Sequence, residues 1–374
     1  MDIDSPTPLL GGMSPSAFMH DVWQRKPLLV RQAIPDFRPL FKRSALLGLL
    51  EREGLESRLV QLSSEGVWSF RAGPLTRRQL PPLTTPGWTV LLQGVDLHDE
   101  AAHRLLQRFR FVPDARLDDL MISFATDGGG VGPHFDRYDV FLLQASGRRR
   151  WRIGRQKDLR LREGLPLKIL ADFHPEHEWV LEPGDMLYLP PRYAHDGVAQ
   201  GECMTYSVGF RAPTGGDLAR DVLLRLSESD DAEGEGAVYR DAGQWAVSAP
   251  GVIPDALIEF ARREVEKRLA RPELLTQALG EVLTEPKPGV WFDAGEAMDG
   301  PAAISLDRRT RMMYAHGYVF INGESYRASG HDAALMQGLA DEREMAQALW
   351  RQLSPQAQAL VNEWVQSGWA YPSS

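Results

Sequence analysis

The sequence of 374 residues contains one cysteine, Cys203. A lone cysteine excludes an intramolecular disulfide and a cysteine-based zinc site, and we interpret Cys203, within CMTYSVGF, as a buried apolar residue. The sequence has no uninterrupted apolar run of the ~18 residues that a membrane span needs. The acidic start MDIDSPTPLL also lacks the basic and apolar regions of a secretory signal. We therefore expect a cytoplasmic protein that does not associate with membranes.

Positive charge is in the minority, with 42 Lys and Arg residues against 51 Asp and Glu residues and a net charge of −9. This balance argues against a large phosphate-binding surface, so we expect no direct nucleic-acid binding. It is compatible with a basic protein as partner.

The pattern of elements changes along the chain. The N-terminal part mixes helix and strand signals, and short apolar strands separated by Gly, Pro and Asp turns dominate from Trp88 to Pro213. Many short strands of this kind favour a sandwich or barrel over a parallel sheet. We expect three units, which are a strand-rich domain with N-terminal helix and strand elements over 1–212, a helical region over 213–285 and a third domain over 286–374.

The helical region carries an apolar stripe. After SDDAEGEGA, which we interpret as a solvated loop, a helix pair divided at Pro272 is predicted. The stripe could pack on its own domain or on a second subunit, and the charge around it favours the second subunit and hence a homodimer. It consists of Leu257, Ala261, Val265 and Leu269.

The C-terminal part predicts strands joined at an Asn322-Gly323 turn, followed by three short helices. Strands and helices in a unit of this size suggest a small winged-helix-like domain. Its basic residues are few and lie among acidic ones, which disfavours a nucleic-acid-binding role. They are Arg308, Arg309 and Arg311.

The stretch GPHFDRYDVFLLQASGRRRWRIG, residues 132–154, contains a candidate metal site. Interpreted as a strand, it places His134, Asp136 and Tyr138 on one face. A third ligand is expected from another strand, and His195 in LYLPPRYAHDGVA is the best candidate. Two histidines and one carboxylate form the facial triad typical of Fe(II), which leaves positions open for a cosubstrate and oxygen.

Other residues compete for parts of this site. His174 and His177 in DFHPEHEW are weaker candidates for the third ligand, because they lie in a predicted loop before a strand. The glycine run DGGGVGP before His134 permits close backbone approach, and no P-loop lysine follows it.

Three consecutive arginines follow the predicted QASG turn, and RRRWRI is predicted to start the returning strand. Strand alternation points either Arg149 inward with Arg148 and Arg150 outward, or the reverse. A single buried guanidinium near the metal would need an anion, and its planar fork suits a carboxylate.

HFDRYDVFLLQASGRRRWRIG, PGDMLYLPPRYAHDGVA and the N-terminal W…RKPLLVRQA together resemble the Jumonji-C-type oxygenases, which use Fe(II) and 2-oxoglutarate. They are most similar to the bacterial ribosomal oxygenases, which hydroxylate an arginine of the sixteenth large-subunit ribosomal protein. The resemblance implies an α+β fold, with a double-stranded β-helix (cupin or jelly-roll) core, a helical dimerisation segment and a C-terminal winged-helix-like domain. It also implies hydroxylation at the arginine β-carbon.

The resemblance assigns roles to residues of the site. It implies one Fe(II) per subunit, held by His134, Asp136 and His195, with O2 and 2-oxoglutarate as cosubstrates. It selects Arg149 as the partner of the distal carboxylate of 2-oxoglutarate. The resemblance also leads us to expect a hydroxyl residue before the glycines, where it would help to hold 2-oxoglutarate. This sequence departs from that pattern, because Ala125 occupies the position, with Ser123 and Thr126 nearby.

For a substrate arginine, the sequence offers Asp119, Tyr138 and Ser207 as candidates to orient the guanidinium. Two rival functions are a Jumonji-C oxygenase that acts on another protein or a small molecule, and a non-catalytic cupin sensor whose winged helix binds nucleic acid. The complete triad, Arg149 and the negative net charge disfavour the sensor.

Overall fold

A computed structural model describes residues 2–228 and 237–373. Most of the predicted loop SDDAEGEGA, residues 229–236, lies outside the described residues. The chain divides into two compact units, Met1–Ala212 and Pro213–Ser374. Within these described residues, no helix is long and apolar enough to cross a membrane. The further boundary at 285/286 stays a prediction.

Antiparallel pairing organises the first unit. Its described strands form one sheet in the order β1-β8-β6-β9-β5-β4-β2-β3, with β7 paired to β6. The strands are β1 (Leu28–Val30), β2 (Ser57–Leu62), β3 (Trp68–Ala72), β4 (Trp88–Leu92), β5 (Leu117–Ala125), β6 (Val140–Gly154), β7 (His177–Leu181), β8 (Met186–Leu189) and β9 (Ala194–Phe210).

Strand β6 corrects the sequence prediction. QASG is not a turn, because β6 runs without a break from Val140 to Gly154 and pairs with β9 along its length. The polar and small residues form bulges instead, with register shifts between Gln144, Ser146 and Arg148. Gly147 has φ +62°, and a Cβ there would overlap the Glu202 carbonyl oxygen. Bulges bend a strand and increase its twist, so this long strand can curl with the sheet.

Helices cover one face of the sheet. They are α1 (Pro15–Asp21), α2 (Arg43–Gly48) and α3 (Glu100–Gln107). The Oγ of Ser14 caps α1 by accepting a hydrogen bond from the Ala17 amide, and Phe18 of α1 lies 5.5 Å from the ring of Phe141 on β6. Residues Met204, Tyr206, Val208 and Phe210 of β9 belong to the same apolar core. The alternate residues of β9 therefore face the other side of the sheet.

The second unit begins with α4 (Gly215–Glu228), α5 (Asp255–Leu269) and α6 (Pro272–Thr284). The predicted division of the helix pair at Pro272 is confirmed. Helix α5 buries none of its residues, and its stripe is exposed, with Leu257 at 37 %, Val265 at 54 % and Leu269 at 43 % exposure.

Two small sheets and three helices complete the second unit. The sheets consist of β10 (Ala303–Leu306), β14 (Glu344–Met345) and β15 (Ala370–Ser373), and of β11 (Met312–Ala315), β12 (Tyr318–Ile321) and β13 (Glu324–Arg327); the helices are α7 (Gly330–Glu342), α8 (Gln347–Trp350) and α9 (Pro355–Gln366). The Asn322-Gly323 turn is confirmed, because both residues have positive φ between β12 and β13. A similar turn at His316-Gly317 joins β11 to β12 and was not predicted.

Candidate metal centre

Main-chain hydrogen bonds hold the two histidines of the candidate site together. His134 and His195 form an isolated antiparallel bridge, in which the His134 amide donates to the His195 carbonyl (3.0 Å) and the reverse bond measures 2.8 Å. The Arg192 amide also donates to the Asp136 carbonyl oxygen at 2.6 Å. Residues about sixty positions apart are therefore fixed side by side by backbone alone.

Hydrogen bonds at the Nδ1 atoms fix the orientations of the two imidazole rings. Nδ1 of His134 lies 2.8 Å from the Gly132 carbonyl oxygen, and Nδ1 of His195 lies 3.0 Å from that of Tyr193. A carbonyl only accepts, so each Nδ1 carries a hydrogen, and in the neutral ring Nε2 is then the nitrogen with the free lone pair. His134, Asp136 and His195 each offer one ligand atom, and these atoms lie within 4.8 Å of one another.

Burial keeps the second histidine neutral. His195 is 3 % exposed, and this burial, together with the neighbouring His134 imidazole, lowers its pKa to about 4. Its Nε2 lies 3.7 Å from Oδ2 of Asp136. The site thus combines two neutral nitrogen donors with one carboxylate, which is the donor set that suits Fe(II) and leaves coordination positions open.

The stretch before β6 is not the strand that the sequence predicts. Only His134 makes a bridge, and regular pairing begins at Val140. The chain bends at Arg137 and Tyr138, so His134 and Asp136 owe their common orientation to the bridge and to the Arg192 contact.

The competing histidines lie elsewhere. The side chain of His174 is 80 % exposed and contacts Asp172 at 2.8 Å. His177 opens strand β7 rather than lying in a loop, and it is exposed and stacked on Trp179. Neither belongs to the cluster of ligand atoms found among the described residues.

The glycine run serves as a close contact between backbones. The Gly128 amide donates to the Ala199 carbonyl (3.0 Å), and the Ala199 amide donates to the Gly129 carbonyl (2.9 Å). A Cβ on Gly130 would lie 2.6 Å from the Gly197 carbonyl oxygen. The run therefore presses the chain that leads to His134 against β9, just beyond His195.

Among the three arginines, Arg149 is the buried one. It is 4 % exposed, whereas Arg148 is exposed and Arg150 is intermediate. No acceptor among the described residues lies within hydrogen-bonding distance of its Nε and Nη2. A buried guanidinium without an anion is costly, so this position suits a bound carboxylate.

Sequence reasoning gave no role to Trp151, which shares the inner face of β6 with Arg149. Its ring centroid lies 5.9 Å from that of His195. Strand alternation places residues 149 and 151 on the same face, and this was the signal that could have identified Trp151 once Arg149 was assigned.

The remaining candidates lie on or near the same inner surface. Ala125 is fully buried and packs with Ala199 and Cys203, so Cys203 is buried as predicted. Ser207 is 7 % exposed and pairs with Met121 and Leu142.

Tyr138 and Asp119 are electrostatic neighbours. Although 41 % of Tyr138 is exposed, desolvation of its hydroxyl and the nearby Asp136 and Asp119 carboxylates raise its pKa. Asp119 is 3 % exposed and accepts hydrogen bonds from Gln93 Nε2 (2.6 Å) and the Gly94 amide (2.9 Å).

Comparison with known proteins identifies two family models, a JmjC domain over residues 104–218 and a ROXA-like winged helix over residues 266–371. The chain is 35 % identical over 276 residues to the ribosomal protein uL16 3-hydroxylase of Escherichia coli K12, covering 72 % of this chain and 71 % of that protein. It is 36 % identical over 231 residues to a probable ribosomal oxygenase of Haemophilus influenzae, covering 58 % of this chain and 57 % of that protein.

Comparison with solved structures agrees with the sequence matches. The X-ray structure of E. coli YcfD matches with a TM-score of 0.84 and 28 % identity, covering 96 % of this chain and 98 % of that one. YcfD in complex with cobalt and 2-oxoglutarate matches with a TM-score of 0.80 at 29 % identity over the same shares. The expected α+β architecture, with its cupin core and winged helix, is thereby confirmed.

Proposed function

The chain belongs to the Jumonji-C-type ribosomal oxygenases, which are Fe(II)- and 2-oxoglutarate-dependent hydroxylases, and on this basis we propose that it hydroxylates the β-carbon of an arginine in ribosomal protein uL16. The cluster of His134, Asp136 and His195 is the observation that carries this function. The E. coli relative, whose match covers 72 % of this chain, is named a ribosomal protein uL16 3-hydroxylase.

In this proposal, His134, Asp136 and His195 bind one Fe(II) per subunit. The support is the chemistry of the donors, since both Nε2 lone pairs are available and a single carboxylate lies beside them. The carbonyl partners of the two Nδ1 atoms fix the ring orientations, so the ligands need little rearrangement to bind the metal.

Arg149 would bind the distal carboxylate of 2-oxoglutarate. Its Nε and Nη2 atoms are buried without acceptors among the described residues, and a carboxylate supplies two acceptors in the geometry of the guanidinium fork. Ala125 cannot donate a side-chain hydrogen bond, so it would contribute only contact surface to the cosubstrate pocket.

When bound, iron with 2-oxoglutarate and O2 supplies the oxidising chemistry. The products are succinate, CO2 and a substrate in which one C–H has become C–OH. The contribution of the chain is placement and exclusion of water. Arg149 anchors the cosubstrate, the two histidines present unprotonated nitrogens, and the buried inner face of the sheet keeps solvent from the reacting centre.

Asp119, Tyr138 and Ser207 are proposed to orient the substrate guanidinium. The Tyr138 hydroxyl lies near two carboxylates, those of Asp136 and Asp119, which makes its surroundings favourable for a cation. Ser207 would add a hydroxyl from β9, where it lies on the face opposite the large apolar core.

Helix α5 is proposed to form a homodimer interface. We also propose that the chain divides into three parts, with boundaries at 212 and 285. The exposed stripe lies on a helix that buries no residue of its own. A ribosomal substrate would also place the protein in the cytoplasm. No direct nucleic-acid contact is needed for this function.

The substrate assignment can be tested by mass spectrometry. Intact uL16 from cells that carry the gene should be heavier by one oxygen atom than uL16 from cells lacking it. Restoring a gene with His195→Ala should leave uL16 unmodified. Equal masses in the first two strains would overturn the ribosomal assignment while leaving the oxygenase chemistry intact.

The metal assignment has its own test. Under anaerobic conditions, the protein with Fe(II) and 2-oxoglutarate should show the visible charge-transfer band of a chelated keto acid. His195→Ala should abolish that band, and His177→Ala, which removes an exposed histidine, should leave it unchanged. A band that survives His195→Ala would show that the third ligand lies elsewhere.

The dimer can be tested by sedimentation. Leu257→Asp with Val265→Asp should convert a dimer to a monomer by placing charge in the stripe. Arg263→Asp, on the same helix outside the stripe, is the control. A wild-type protein that sediments as a monomer at micromolar concentration would contradict the interface.

A further inference from the structure

Trp151 is a buried side chain whose polar atom has no partner. It is 5 % exposed, and no acceptor among the described residues lies within hydrogen-bonding distance of its indole Nε1. An indole N–H is a donor only, and when buried it usually finds an acceptor. The missing acceptor leaves this N–H available to a group that the chain itself does not supply.

The position of Trp151 places it between the two parts of the candidate site. On β6 it follows Arg149 by two residues, and the Arg149 Cζ atom lies 5.8 Å from its ring centroid. Its ring is also 5.9 Å from the His195 ring. Trp151 therefore lies near both the proposed anchor of the cosubstrate and a proposed metal ligand.

Contacts with β9 orient the indole. Trp151 pairs with Gly197, and a Cβ on that glycine would come within 2.6 Å of Cζ3 and Cη2 and 2.9 Å of Cε3. These atoms are consecutive in the six-membered ring, and the three distances place the Cβ position over the face of that ring. The indole therefore stacks on β9 at Gly197, and any side chain at residue 197 would displace the ring.

We propose that Trp151 donates its indole N–H to the distal carboxylate of 2-oxoglutarate, alongside the Arg149 guanidinium. This inference rests on the proposed function. Both residues present buried donors without acceptors on the same face of one strand, and the two oxygens of a carboxylate can accept from the fork and from a third donor. Trp151 is thus a binding residue for the cosubstrate as well as a packing residue.

The first test measures cosubstrate affinity. With Zn(II) in place of iron, Trp151→Phe should raise the Kd for 2-oxoglutarate about tenfold, because a hydrogen bond to a charged group is lost while the aromatic ring is kept. The Kd for 2-oxobutyrate, which has the keto acid but no distal carboxylate, should stay within twofold. Replacing Trp151 by benzothienylalanine, which keeps the bicycle and removes only the N–H, should reproduce the effect if Phe disturbs the packing.

Trp350 offers a matched control. It is also buried, at 8 % exposure, with an Nε1 atom that has no acceptor among the described residues, but it lies in the second unit. Trp350→Phe should leave both Kd values unchanged. A role in stability alone predicts a different pattern, in which Trp151→Phe lowers the thermal midpoint of the ligand-free protein and leaves the Kd unchanged.

The second test observes the hydrogen bond itself. The chain has 10 tryptophans, and the indole N–H resonance that disappears in Trp151→Phe identifies the one of interest. In the Zn(II)-loaded protein this resonance should shift downfield on addition of 2-oxoglutarate and should stay in place with 2-oxobutyrate.

The outcomes distinguish a failure of the Trp151 role from a failure of the proposed function on which it rests. If wild-type protein does not bind 2-oxoglutarate, the proposed function fails. If wild type binds, Arg149→Leu weakens binding and Trp151→Phe binds normally with no indole shift, only the role of Trp151 is overturned.

Discussion

The two halves of strand β6 differ in whether their buried polar side chains have hydrogen-bond partners. In the first half, Gln144 is fully buried and satisfied, because its Nε2 donates to the Ser146 carbonyl at 2.9 Å and its Oε1 accepts from Thr205 Oγ1 at 3.0 Å. In the second half, Arg149 and Trp151 are buried with donors that have no acceptor among the described residues. Gly147 lies between the two halves, at the bulge.

This difference separates folding from binding within one element. Buried polar groups in proteins are nearly always paired, so an unpaired set beside paired ones marks where a ligand completes the structure. The first half of β6 stabilises the sheet, and in the proposed function the second half offers its donors to the cosubstrate.

Among the substitutions in β6, Arg149→Leu should have the largest effect, and that effect should be on the binding of 2-oxoglutarate. Removing the guanidinium should raise the Kd for 2-oxoglutarate on the order of a hundredfold, because the bound carboxylate loses its charged partner. The ligand-free protein should be as stable as wild type or more so, since a buried charge without an anion is removed. Both quantities can be measured by calorimetry on the Zn(II)-loaded protein and by thermal unfolding without metal.

Arg148→Leu is the control, because the adjacent side chain is exposed. It should change neither the Kd nor the thermal midpoint appreciably. A ligand-free Arg149→Leu protein that is strongly destabilised would show that Arg149 has a structural partner, and the contrast between the halves would be lost.

Gly147→Ala should disrupt the bulge that separates the halves. A Cβ there would overlap the Glu202 carbonyl oxygen and lie 2.9 Å from Cβ of Cys203, in addition to the strain at φ +62°. We expect a loss of about 3 kcal/mol in the free energy of unfolding, measured by urea denaturation.

Gly201→Ala isolates the conformational part of that cost. Gly201 has φ +77°, and nothing lies within 4 Å of its Cβ position. It should lose only about 1 kcal/mol. Equal losses at the two glycines would show that the bulge tolerates a side chain.

Gln144→Leu should have the smallest effect and should fall on stability alone. It leaves the Thr205 hydroxyl without its acceptor, which costs about 1–2 kcal/mol in the free energy of unfolding. Adding Thr205→Val should recover part of the loss, because both partners are then apolar. The Kd for 2-oxoglutarate should not change, and a tenfold rise would place Gln144 in the cosubstrate pocket.

Much of the candidate site could be predicted from local sequence. His-x-Asp, the histidine after two prolines and strand alternation around Arg149 are short-range patterns, and each corresponds to residues that the structure brings together. The pairing of His134 with His195 could not be derived this way, because it is a register between segments about sixty residues apart.

The two errors in the predicted backbone have a common cause. QASG has the composition of a turn, but pairing with β9 on both sides of it makes a bulge more favourable than a reversal. The stretch from His134 to Tyr138 alternates like a strand, yet it makes only one bridge. In both places tertiary pairing, rather than local propensity, determined the backbone.

The bridge between His134 and His195 also affects the tolerance of the chain to breakage. Residues 155–168, which lie between the two histidines in sequence, are mostly exposed. The main chains of the two histidines are joined to each other by hydrogen bonds and not through that segment, so a protease cut within it should leave the metal centre assembled. Chain continuity and the integrity of the site are, at this point of the molecule, separate properties.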